Sequence, residues 1–158
     1  MSGDPRLDFW DEEMPTGDFT SPGEIDQLIL YIEGLKPRKV LDLGIGDGRV
    51  VLAFARAWPG VTVVGVEHHS SRVQHVLHAA TAEGLENVEL HHADARFWLM
   101  ERIDVVFAHQ ITAVTLPQAY LPGQTLITTY PLHRFDKERF EVADELLGNA
   151  HTFWVYKF

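Results

Sequence analysis

Seven residues early in the chain, Asp42-Leu-Gly44-Ile-Gly46-Asp-Gly48, combine an acid with three alternating glycines. Glycines at every second position let a backbone pass close to a ligand and turn sharply. A helix starting at the last of them would offer unpaired N–H groups and the positive end of its dipole to an anionic group. The spacing is not the nicotinamide fingerprint, whose third glycine would fall on Arg49, and no Gly-Lys-Ser/Thr closes a phosphate loop. Asp42, two residues before the first glycine, would repel a pyrophosphate and favour a ligand with an ammonium or sulfonium centre. Two further acids stand downstream, Glu67 closing Val63-Val-Gly-Val-Glu67 and Asp94 closing His91-His-Ala-Asp94.

Nine histidines invite a metal reading, with His68-His69, His91-His92 and the pair His75 and His78 the closest groupings. None has the spacing of a zinc motif and no cysteine assists, so no metal site is expected.

The elements around these residues alternate. Ser21 caps a helix with Pro22 in its first turn and Glu24 three residues after the cap, and Ile25, Leu28, Ile29, Ile32 and Leu35 give it one apolar face. Strands are expected at 39–43, 61–66, 88–92, 103–108 and 124–129, with helices over 48–58 and 70–83. Segments 140–147 and 151–158 read as a closing antiparallel pair around Gly148-Asn149. Strands apolar throughout and separated by helices imply a parallel sheet covered on both faces. The expected fold is α/β and doubly wound. In such a sheet ligands bind outside the carboxyl ends of the strands, where Asp42, Glu67 and Asp94 all fall.

A chain of 158 residues is expected to be one domain, with 1–36 forming an N-terminal segment and helix beside the cleft and 37–158 the core. No apolar stretch approaches the roughly 20 residues of a membrane span. The start Met-Ser-Gly-Asp-Pro is polar and acidic, unlike a secretory signal, so a cytoplasmic setting is expected. Net charge is −10 and the 13 basic residues are scattered, only Lys36, Arg38 and Lys39 standing together. That disfavours a nucleic-acid partner and suits a cationic one.

The acid followed by G-x-G-x-G, with acids after the second and third strands, resembles the class I S-adenosylmethionine-dependent methyltransferases. The resemblance implies a seven-stranded, mostly parallel sheet with its last strand antiparallel, and S-adenosyl-L-methionine as cofactor. It places Asp42, Gly44, Gly46 and Gly48 at the methionine end and Glu67 on the ribose hydroxyls. Asp94 and Ala95 fall at the adenine, and Thr20, His68 and His109 beside the cofactor. The Asn/Asp-Pro-Pro-Tyr/Phe tetrapeptide of enzymes acting on the amino groups of bases and glutamine is missing from Ala108-His109-Gln110. Thr20-Ser21-Pro22, Pro122-Gly123 and His151-Thr-Phe-Trp-Val-Tyr156 are similar to the small archaeal relatives of the non-SET lysine methyltransferases. In that branch His109 and Gln110 fall where paired asparagines line the substrate channel. His109, Gln110 and Tyr130 are thus the candidate catalytic residues, with Phe19 and Trp154 as further lining. The expected acceptor is a lysine side chain on a protein; the alternatives are a small molecule, an RNA, or cofactor binding without catalysis. Methyl transfer to lysine would need an apolar channel to lower the pKa of the attacking ammonium.

Overall fold

The computed structural model describes residues 19–98, 102–109 and 120–158. Gln110 lies outside the described residues. Helix α1, Pro22–Leu35, begins as the sequence dictates: Ser21 accepts the Glu24 N–H and the Glu24 side chain returns to the Ser21 N–H, a capping box. It ends at Lys36 in a left-handed conformation, one residue before Pro37. Then follow β1 (Lys39–Leu43), α2 (Arg49–Ala57), β2 (Thr62–Glu67), α3 (Ser70–Ala82) and β3 (Val88–His92). The later strands are β4 (Val105–Ala108), β5 (Thr125–Thr128), β6 (Val142–Leu147) and β7 (Thr152–Lys157). Helix α3 starts at Ser70, and His69 stands at its N-cap without a side-chain hydrogen bond.

The strands form one seven-stranded sheet in the order β3-β2-β1-β4-β5-β7-β6. Strands β1 to β5 pair in parallel and β7 runs antiparallel to both β5 and β6, as expected. Chain order reverses between β1 and β4, which opens a crevice at their carboxyl ends. The three α-helices among the described residues pack on one face: Leu28 and Ile32 of α1, Val51 and Phe54 of α2 and Val76 of α3 meet Val40, Val63, Phe107, Ile127 and Phe153. The opposite face, with Leu41, Leu43, Val64, Val106 and Leu126, is covered among the described residues by Ile103, Leu132, Phe140 and two 3-10 turns, Ala95–Phe97 and Leu132–Arg134. Alternation along β7 divides its side chains accordingly, Phe153 and Val155 to the helical face, Trp154 and Tyr156 to the other.

Two polar clamps hold the amino ends of the strands. Asp104 accepts from the N–H groups of Arg38 and Lys39, tying the start of β1 to the start of β4. The Asn87 amide donates to the carbonyls of Ala55, Trp58 and Val61, which closes the Pro59-Gly60 turn.

Candidate functional site

Register aligns the strand ends that matter: Leu43 pairs with Val66 and with Ala108, and Ala108 with Thr128. The glycine loop leaves β1 at this edge, its first N–H donating from Gly44 to the Val66 carbonyl at 2.7 Å. Gly44, Gly46 and Gly48 have φ of 75°, 56° and 86°, a region L side chains rarely adopt. A Cβ on Gly48 would also lie 2.5 Å from a Val76 methyl, so α3 presses on the start of α2.

Beneath the loop, Asp42 is buried, and its carboxyl is pushed well above the usual range by burial first, then by the charges of Glu67 and Asp47. Glu67 is also buried; it accepts the Gly46 N–H at 3.3 Å and the His69 N–H at 3.1 Å, one on each oxygen, with Arg72 Nη1 3.7 Å away. A carboxylate has about four acceptor sites, so Glu67 keeps capacity for two hydroxyls. Crowded acids beside a glycine loop held at positive φ fit a close-lying cationic ligand with a ribose. The site therefore fits S-adenosylmethionine.

His68 is exposed beside this acid, Nδ1 3.5 Å from the Glu67 carboxylate, and its carbonyl lies 3.0 Å from His92 Nε2. Glu67, His68 and His69 bring one potential metal ligand each within 4.8 Å of one another, a grouping the spacing argument passed over. The two backbone N–H groups and the Arg72 guanidinium already at Glu67 oppose a cation there. Asp94 caps the turn containing Ala95 and is gripped by Arg96, whose Nη2 donates at 2.6 Å. The Arg96 side chain and N–H hold the Asp94 carboxyl down to about 2.

On the other side of the crevice, His109 follows β4. Its Nδ1 lies 3.3 Å from the hydroxyl of buried Thr20, and its ring meets that of His151 edge-on at 4.7 Å. His151 Nδ1 is 3.1 Å from Glu24 Oε1, and the same buried carboxylate accepts from the N–H groups of Ser21, Ala150 and His151. Burial pushes the Glu24 carboxyl up, but the bonds from His151, Ser21 and Ala150 outweigh it and hold it down to about 2. Thus Thr20 and His109 meet, and the β6–β7 turn is latched onto the start of α1. Tyr130 stacks on Phe135 at 5.2 Å, and Phe19 lies under the Arg49 guanidinium at 4.0 Å. Trp154 packs against His133 at 4.8 Å, while Tyr156 is core. Sequence reading missed Arg72, His151 and Phe135 and took Glu24 only as a helix cap. Its one available signal was an acid and a histidine in segments that the fold brings together.

Residues 36–116, slightly more than half of the chain, match the model of the family described as "Putative methyltransferase". The chain belongs to this methyltransferase family. Among curated proteins it is 39% identical over 57 residues to the tRNA (guanine-N(7)-)-methyltransferase of Nitrosococcus oceani, covering 36% of this chain and 24% of that protein. It is 31% identical over 121 residues to the enzyme of the same name from Halorhodospira halophila, covering 70% of this chain and 45% of the relative. The chain thus spans less than half the length of these relatives. An RNA methyltransferase from Salinibacter ruber, solved with S-adenosyl-L-homocysteine, shares the fold with a TM-score of 0.67 at 21% identity, covering 90% of this chain and 92% of that one.

These relatives correct two expectations. They do not include the lysine-methylating archaeal branch, and their names overturn the expected protein partner and the absence of nucleic acid. The physical reasons are plain. Net charge is a sum over the whole chain and does not fix the potential inside one cleft. The missing tetrapeptide bears on exocyclic amino acceptors and is silent about a ring nitrogen. Among the described residues no helix is long and apolar enough to cross a membrane.

Proposed function

We propose that this chain is an RNA methyltransferase whose acceptor is a guanine ring nitrogen. One observation carries the reading: the similarity to the Halorhodospira tRNA (guanine-N(7)-)-methyltransferase spans 70% of the chain. A stretch that long cannot miss Glu67, Asp94 and His109, so it reaches both sides of the crevice. When bound, S-adenosylmethionine supplies an electrophilic methyl group on a sulfonium centre. In this reading Asp42 and the loop glycines hold the cationic amino-acid end, and Glu67 accepts from the ribose. His68, Asp94 and Ala95 border the adenine, and Thr20 with His109 closes the methionine side.

The acceptor chemistry matches what His109 and its neighbours offer. A neutral guanine carries a lone pair on its ring nitrogen and has no proton to lose before attack, so the chain must orient and shield rather than deprotonate. His109, fixed between Thr20 and His151, presents a polar wall at the end of β4. Tyr130 contributes aromatic surface at the end of β5. A cytoplasmic setting, where transfer RNA works, belongs to the same proposal.

Incubation of the chain with methyl-tritiated cofactor and unmodified transfer RNA, followed by nuclease digestion, should yield labelled 7-methylguanosine. Label confined to protein or to small metabolites would refute the proposal. So would tight cofactor binding with no label transferred to any pool, the behaviour of a non-catalytic module.

A further inference from the structure

Phe135 is out of place by ordinary burial. Among the residues whose side chains are described it is the one aromatic in the exposed class, 66% accessible. It is not loose. Leu132 is fully buried in the core and anchors the 3-10 turn, and the Phe135 N–H donates back to the Leu132 carbonyl at 3.0 Å. The ring lies nearly parallel to Tyr130, centroids 5.2 Å apart at 18°. Next to it Arg134 places its guanidinium 5.9 Å from the Trp154 ring centroid, and Trp154 packs on His133. Lys137 is also exposed on this stretch, as is Asp136, which accepts the Arg139 N–H at 3.0 Å. Tyr130 follows β5, whose Thr128 pairs with Ala108, the residue before His109. Tyr130 therefore leaves the sheet at the same carboxyl edge as His109, on the β4–β5 side rather than the β1–β2 side.

The geometry points to a base-stacking platform: Phe135, backed by Tyr130 and flanked by Arg134, receives an unpaired base of single-stranded RNA next to the base being methylated. This inference rests on the RNA reading above. Proteins grip unpaired bases on aromatic faces and guanidinium planes, and the π-face is common to all bases, so such a contact tolerates sequence. A ring already stacked and tied into a turn loses little freedom on accepting a base, which is what preorganisation means here. Arg134 and Lys137 are balanced by Asp136 and Glu138 on the same stretch, so the grip comes from the aromatic face and the Arg134 guanidinium plane and not from net positive charge. A protein partner at the same ring would need an apolar surround, whereas the neighbours of Phe135 from 134 to 138 are all exposed and charged.

The test uses the full chain saturated with S-adenosylhomocysteine and a short unstructured RNA carrying 2-aminopurine beside a guanine, followed by fluorescence. The unaltered chain should quench the probe saturably. Phe135→Ala and Phe135→Leu should each weaken binding about tenfold, and Phe135→Trp should restore it, with cofactor affinity unchanged in all three. Leucine keeps the apolar bulk but not the π-face, so equal binding by Phe135→Leu would overturn stacking. Tight RNA binding that is indifferent to all three substitutions would overturn the platform while leaving the RNA reading intact. A self-association lost in Phe135→Ala, with RNA binding unchanged, would assign the ring to a second copy and overturn it too. If the unaltered chain neither binds the RNA nor methylates transfer RNA, the RNA reading fails and the platform falls with it.

Discussion

Asp42 and Glu24 are both carboxylates buried at the same edge of the sheet, yet their surroundings push them in opposite directions. Glu24 accepts from three backbone N–H groups and lies against His151, so it is held down to about 2. Asp42 is raised, by burial and then by two other acids. The first acid is satisfied by the fold itself and acts as a latch between α1 and the β6–β7 turn. The second is left electrostatically uncomfortable, a state a cationic ligand would relieve. The Glu24 and His109 side is thus tied together by contacts made in folding, and the glycine-loop side keeps a buried acid that the fold leaves unrelieved.

The largest effect should come from breaking the loop that confines Asp42. Gly48→Ala meets a Val76 methyl at 2.5 Å and holds alanine at a φ of 86°. Strain at positive φ and overpacking together should cost about 2–4 kcal/mol, read by urea unfolding. Adding Val76→Ala should relieve the overpacking and leave the backbone strain, giving a favourable coupling in a double-mutant cycle. Strictly additive losses would mean that α3 does not press on the loop.

The latch comes next. Glu24→Gln keeps the shape but removes the charge that His151 and the backbone N–H groups face, and should cost about 2–3 kcal/mol at neutral pH. The pH dependence has a definite sign. The folded carboxyl is held below its ordinary value of 4.5 at about 2, so its contribution is complete above about pH 4.5 and is lost as pH falls towards 2. Urea midpoints of the unaltered chain should therefore drop across that window more than those of Glu24→Gln. Parallel curves for the two proteins would remove Glu24 from its role.

The same contrast explains what could be read from residues alone. The cofactor side is made of neighbours in sequence and of strand ends: Gly46 and Glu67 are 21 positions apart, and a glycine loop after an apolar strand announces itself by composition. The opposite side of the crevice joins Thr20 to His109 across 89 positions and Glu24 to His151 across 127. No local pattern signals those meetings. Ser21 and Glu24 were legible as a capping box because the rule is local, but the second use of Glu24 depends on where the β6–β7 turn comes to rest. The seven strands with the last antiparallel follow from the resemblance, while the order of the strands in the sheet is given by neither resemblance nor periodicity. Net charge misleads because −10 is a sum over the whole chain, whereas a partner meets only the few side chains on one face.

Asp42→Asn gives the smallest change in stability and the sharpest separation of the two acids. Because the folded carboxyl is raised, its favourable contribution is present below the ordinary aspartate value of 3.8 and is lost as pH rises through the raised value. Above the ordinary aspartate range the buried carboxyl is therefore a liability to the ligand-free chain, and asparagine should stabilise it by about 1 kcal/mol, seen as a higher melting temperature. The same substitution removes the charge proposed to face the ammonium and sulfonium centres, so affinity for S-adenosylmethionine should fall about tenfold by calorimetry. Affinity for neutral adenosine, which lacks those centres, should stay within about twofold. A stabilised chain that binds both ligands as before would leave Asp42 as a fold defect with no part in ligand binding. A destabilised one would mean that Asp42, like Glu24, is satisfied by the fold, and the contrast between the two acids would collapse.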